Sequence, residues 1–138
     1  MKTMYHVSPE NGLTRLRPGS GRHAYAYVNV DEKRGGVFLA PNKRDAILWA
    51  ADVIAWRRQE GGGKSSPYTR LTIYKVEVPH DCVHTAVDTM WGREVFVPAQ
   101  HLSQIRIVGR KTYDIRVIFR MATRIFRDSV PFEIPLDL

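Results

Sequence analysis

The chain has one cysteine, Cys82, among its 138 residues. An internal disulfide is therefore excluded, as is any metal site built wholly from cysteines. A single thiol fits a reducing compartment, so a cytoplasmic location is expected. Long hydrophobic runs are also missing. No stretch approaches the roughly 18 apolar residues needed to span a bilayer, and the opening Met1-Lys2-Thr3-Met4-Tyr5-His6 has no apolar core of a signal peptide. A soluble protein with no membrane partner is expected. Acidic residues are scarce beside basic ones, 14 against 21, which leaves a formal charge of +7. Proline and glycine number only 8 and 10, too few for a collagenous or disordered chain. At this length a single domain, 1–138, can bury a core without covalent staples.

The excess charge is concentrated in one place. Arg106, Arg110, Lys111, Arg116, Arg120, Arg124 and Arg127 enclose a single acid, Asp114, so this segment carries +6 of the +7. Such asymmetry either marks a surface for an acidic partner or is a solvated basic face.

Turn signals and periodicity divide the chain. Met4 to Ser8 reads as a first strand ended by Pro9. Residues 9–24, rich in Pro, Gly and Arg, read as loop or short helical turn, and Tyr25 to Val30 as an edge strand or ordered loop. Val37 to Ala40 is a short apolar strand stopped by Pro41. Asn42 then caps a helix, with Ala46, Ile47, Trp49, Ala50, Val53, Ile54 and Trp56 at helical spacing. The helix ends before Gly61-Gly62-Gly63-Lys64-Ser65-Ser66-Pro67. That loop lacks the glycine spacing of a phosphate-binding loop and follows a helix rather than a strand.

Leu71 to Val78 alternates strictly and predicts a strand, with Glu77 turned to solvent. Residues 79–92 read as loop. Glu94 to Val97 is predicted as a strand closed by Pro98, with Glu94 as its first residue, at a sheet edge where clefts open. A helical turn over 99–102 leads to a strand, Ile105 to Val108, closed by Gly109. Tyr113 to Ile118 alternates like a strand, yet Ile115, Ile118, Met121 or Ala122, and Ile125 fit one helical face. The helix is the better reading, because strands longer than ten residues are uncommon. It sets Arg116, Arg120, Arg124 and Arg127 in one stripe and turns Phe119 and Phe126 to the core. Short connections of this kind predict an α+β fold with largely antiparallel sheets, one central helix and a C-terminal helix.

Four features taken in order carry a resemblance: Tyr5-His6-Val7-Ser8 on the first strand, Phe38 on the short strand before the helix, the scaffold strand Leu71 to Val78, and Glu94-Val95-Phe96-Val97-Pro98. Over about residues 4–109 the chain resembles the ADP-ribosyltransferase family, and in particular its small bacterial and phage branches similar to rifampin ADP-ribosyltransferases. The resemblance implies two small, mostly antiparallel sheets with an NAD cleft between them. It implies that His6, with Ser8 nearby, bonds the adenine-side ribose and that the Val7 backbone meets the nicotinamide amide. Phe38 stands where the family usually has a tyrosine and would stack on the nicotinamide, with Tyr25 or Tyr27 as sources of the missing hydroxyl. Glu94 would bond the nicotinamide ribose and stabilise the positive charge formed as the glycosidic bond breaks.

NAD is then a substrate, and no metal is required, since nicotinamide leaves as a neutral group. The sole paired histidine spacing is His80-x-x-x-His84, a weak zinc signal. Gly92 stands where protein-modifying members usually carry Gln or Glu, so the acceptor is a protein side chain, a nucleic acid or a small molecule. The resemblance fits a phage effector, or a toxin with a neutralising partner protein. Two other readings compete. One is an RNA 2'-phosphotransferase-like enzyme. The other is a non-enzymatic basic module that binds nucleic acid or an acidic protein through Arg116, Arg120, Arg124 and Arg127.

Overall fold

Alternating β-branched and aromatic residues favour strands, and in this chain they pair into two small antiparallel sheets. A computed structural model describes residues 1–17, 36–60, 68–83, 85–89, 92–127 and 138. Strand β1 (Lys2–Ser8) is followed by residues 9–17, which form no regular element. Next come β2 (Gly36–Leu39), helix α1 (Lys43–Glu60) and β3 (Arg70–Val78), then a 3-10 turn at His80–Cys82. Strands β4 (Thr85–Thr89) and β5 (Gly92–Pro98) follow, then a second 3-10 turn (Ala99–Gln104), β6 (Arg106–Asp114) and helix α2 (Ile115–Arg127). One sheet has the order β1-β3-β6 and the other β2-β5-β4. Every pairing is antiparallel. The expected α+β architecture with two small antiparallel sheets is present.

Two apolar layers follow from the alternation. Tyr5, Val7, Leu71, Ile73 and Tyr113 cover one face of the β1-β3-β6 sheet and pack under α1 and α2. Met4, Tyr74, Val76 and Val78 on its other face meet Val37, Leu39, Val95 and Val97 of the second sheet. Helix α1 starts as its sequence requires. The Asn42 side-chain carbonyl accepts the Asp45 N–H at 2.8 Å, and Asn42 Nδ2 donates back to Asp45 Oδ2 at 2.9 Å. This reciprocal cap satisfies one orphan donor and sets a carboxylate at the positive end of the helix.

Several expectations are corrected. Residues 79–92 contain β4, an edge strand too polar to announce itself. Strand β5 consequently has two neighbours and is the centre of its sheet, not an edge. It begins at Gly92, so Glu94 is its third residue. Gly109 does not close a strand: β6 runs on to Asp114, and the register shift opposite Lys75 and Val76 leaves Val108 as the extra, bulged residue. The ambiguous tail divides cleanly. Its alternation belongs to β6, and its helical period to α2. Phe119 is half-buried against the core, but Phe126 is 59% exposed and lies outside it. Glu77 bonds Arg106 at 2.6 Å on the surface. The strand expected at Tyr25 to Val30, with Tyr25 and Tyr27, lies outside the described residues, as do the 61–67 loop and His84.

Candidate active site

Among the described residues, one backbone bridge joins the two sheets. Tyr5 of β1 and Ala40, just after β2, exchange backbone hydrogen bonds of 2.9 and 2.8 Å. Extending that antiparallel pair by two residues would set Val7 opposite Phe38. The ladder does not extend there. Instead the Phe38 carbonyl lies 3.2 Å from Nδ1 of His6. A carbonyl only accepts, so Nδ1 carries the proton, and Nε2 of the neutral ring is left as an acceptor. Burial pushes the His6 pKa below its ordinary value, and the hydrogen bond to Phe38 opposes this without reversing it. His6 is therefore neutral at pH 7.

Backbone direction alternates along an antiparallel strand. Tyr5 turns its N–H and C=O to β2, so His6 turns its own to β3, and Val7 turns its own outward again. The Val7 peptide thus faces the gap where β1 and β2 part, while its side chain is buried under the helices. Ser8 is buried, and its hydroxyl accepts the Glu10 N–H at 3.1 Å, tying down the start of the following loop. That loop is held further by Tyr74, which is fully buried. Its hydroxyl donates to the Glu10 carbonyl at 2.5 Å and accepts the Leu13 N–H at 3.1 Å. The Tyr74 ring lies 6.4 Å from the imidazole of His6.

Phe38 is half-buried, and its ring packs 5.2 Å from that of Phe96, its register partner on β5. Glu94 is two residues from Phe96 and so shares its face, opposite to the face of Val95 and Val97. It is only 5% exposed. The expectation of an acid at an open sheet edge thus gives way to a carboxylate sunk in a central strand. His6, by contrast, lies on the face of Met4, opposite to that of Tyr5 and Ala40. Phe38 joins the two sides, with its carbonyl on His6 and its ring on Phe96. Sequence reasoning placed the three side chains on three separate strands but missed the Phe38 carbonyl, because a backbone acceptor leaves no trace in residue identity.

Among the described residues, no three of His, Cys, Asp and Glu gather as a metal-binding group, and no helix is long and apolar enough to cross a membrane. Arg116, Arg120, Arg124 and Arg127 are all exposed on α2, away from the apolar face of Ile118, Met121 and Ala122. No family model, no curated protein and no solved structure matches the chain.

Proposed function

We propose that the chain is a mono-ADP-ribosyltransferase on an ADP-ribosyltransferase-like fold, transferring ADP-ribose from NAD to an acceptor and releasing nicotinamide. The observation that carries this reading is the parting of β1 and β2 directly after the Tyr5–Ala40 bridge. Beside this parting stand an outward peptide at Val7, the neutral imidazole of His6, whose Nε2 is an acceptor, and the aromatic residue Phe38. A carboxamide needs one donor and one acceptor, and the Val7 N–H and C=O supply both. A ribose hydroxyl needs an acceptor, and His6 offers one. Because His6 and Glu94 lie on opposite faces, a dinucleotide reaching both would thread the gap rather than lie on one face.

In the reaction the bond from the ribose anomeric carbon to the nicotinamide nitrogen breaks, and both electrons leave with nicotinamide. The sugar becomes oxocarbenium-like. Glu94 supplies fixed negative charge from a site where water screens little. The acceptor then attacks the anomeric carbon and loses its proton. Removing one preorganised electrostatic group of this kind typically costs about a hundredfold to a thousandfold in rate.

The test is Glu94→Gln, which keeps shape and removes charge. Nicotinamide release from NAD is followed by chromatography, first with water as acceptor and then with cell lysate. Release should fall at least about a hundredfold with an unchanged circular dichroism spectrum. Wild-type release by the folded variant would remove Glu94 from the mechanism, and no NAD turnover or binding by the wild type would end the proposal.

A further inference from the structure

Phe126, expected in the core, is 59% exposed on the same helix as the arginine stripe. From the helical repeat, Arg116, Arg120, Arg124 and Arg127 fall within about 80° of arc. Thr123 lies about 20° outside this arc, and Phe126 about 80° outside it on the same side, next to Arg127 in the chain. Each four-residue step climbs about 6 Å. At the start of the stripe, Asp114, Arg116, Val117 and Arg120 line a depression of about 460 Å³. Asp114 is engaged there, taking the Arg116 Nε–H and one Nη–H at 3.1 Å each.

We infer that the arginine face of α2, together with the flank that carries Phe126 beside Arg127, binds single-stranded nucleic acid, with Arg120, Arg124 and Arg127 on phosphates and Phe126 stacked on a base. Three observations select this occupant. The cations on the helix are all arginine, whose planar fork matches phosphate in bidentate fashion. An exposed aromatic ring beside cations is the stacking element that a single strand can use and a duplex cannot. The face also lacks the apolar centre a protein partner would need: of the large hydrophobics exposed among the described residues, Met1, Val108 and Phe126, only Phe126 is on α2. The surface is separate from the gap between β1 and β2, so the inference stands whether or not the chain uses NAD.

The test is fluorescence anisotropy with a labelled oligothymidylate, without NAD, over a range of salt. Three phosphate contacts on a single strand predict a slope of log affinity against log salt of about −2. The double variant Arg120→Gln/Arg124→Gln should flatten it to about −0.7. Phe126→Ala should weaken binding about tenfold with little change in slope. All three positions are exposed, so the variants should fold, as circular dichroism would verify. The inference is overturned if the variants bind like wild type, if a duplex of the same charge binds as tightly, or if polyglutamate competes as well as the oligonucleotide.

Discussion

Tyr74→Phe removes one oxygen atom and nothing else, so its cost can be worked from the contacts. Tyr74 is fully buried, and its hydroxyl holds the Glu10 carbonyl and the Leu13 N–H. The two losses differ. Glu10 is exposed, so its carbonyl turns to water and only the net value of a hydrogen bond is lost, about 0.5–1.5 kcal/mol. Leu13 is 6% exposed, and its N–H would stay buried without an acceptor, a cost of about 1–3 kcal/mol. The sum is about 1.5–4.5 kcal/mol, and for a chain of this size that lowers Tm by roughly 5–20 °C. Scanning calorimetry reads the total. Hydrogen exchange reads its location, since the Leu13 amide should lose protection while amides in β3 keep theirs. A Tm drop below about 3 °C with Leu13 still protected would refute the claim that this hydroxyl pins the loop after β1.

Gly36→Ala should be far more damaging than Gly109→Ala. A Cβ at Gly36 would lie 2.4 Å from Phe96 Cζ and from the Val97 carbonyl oxygen, whereas one at Gly109 would come no closer than 3.7 Å. The first should cost about 1–3 kcal/mol or more and the second less than about 0.5 kcal/mol by urea denaturation; equal midpoints would refute the close packing of Phe96 over β2. Two titrations should separate in pH. The Arg116 side chain, then its backbone N–H, hold the Asp114 pKa down to about 2. Asp114 therefore stabilises the fold fully above pH ~4 and loses that contribution as pH falls toward ~2. His6 is depressed as well, so the unfolded chain takes up its proton first, and stability declines as pH drops below ~6.5. Asp114→Asn should flatten only the lower window and His6→Gln only the upper, in Tm measured against pH.

How far the sequence reveals the fold depends on whether a segment carries its own reason for its structure. Strand β3 does: Leu71, Ile73, Tyr74, Val76 and Val78 are all buried, and a strand buried on both faces writes itself in apolar residues. Helix α1 does too, through the Asn42 cap. Strand β4 does not. Thr85-Ala86-Val87-Asp88-Thr89 is an edge that, among the described residues, pairs with β5 alone, and its structure comes from the partner's backbone. Phe126 falls outside the core because Ile118, Met121 and Ala122 already fill the buried face of α2. Glu94 was misplaced for the same reason as β4, since recognising the neighbour is what turns an edge into a centre.

The shortness of the backbone pairing between the sheets has an identifiable cause at each end. An antiparallel ladder renews its hydrogen bonds every second residue, so beyond Tyr5 and Ala40 the next bonded pairs would be Thr3 with Asn42 and Val7 with Phe38. Asn42 is already the cap of α1, its carbonyl oxygen accepting from Ala46 and its side chain from Asp45. The Phe38 carbonyl is taken by the His6 ring. One bridge remains, and beyond it β1 keeps an outward peptide at Val7. An aliphatic residue at position 6 would leave the Phe38 carbonyl without its imidazole donor and remove the competitor that stops the ladder from closing. The histidine thus acts twice, holding the strands apart through Nδ1 while presenting Nε2, and the two roles are chemically inseparable because a neutral imidazole that donates at one nitrogen must accept at the other.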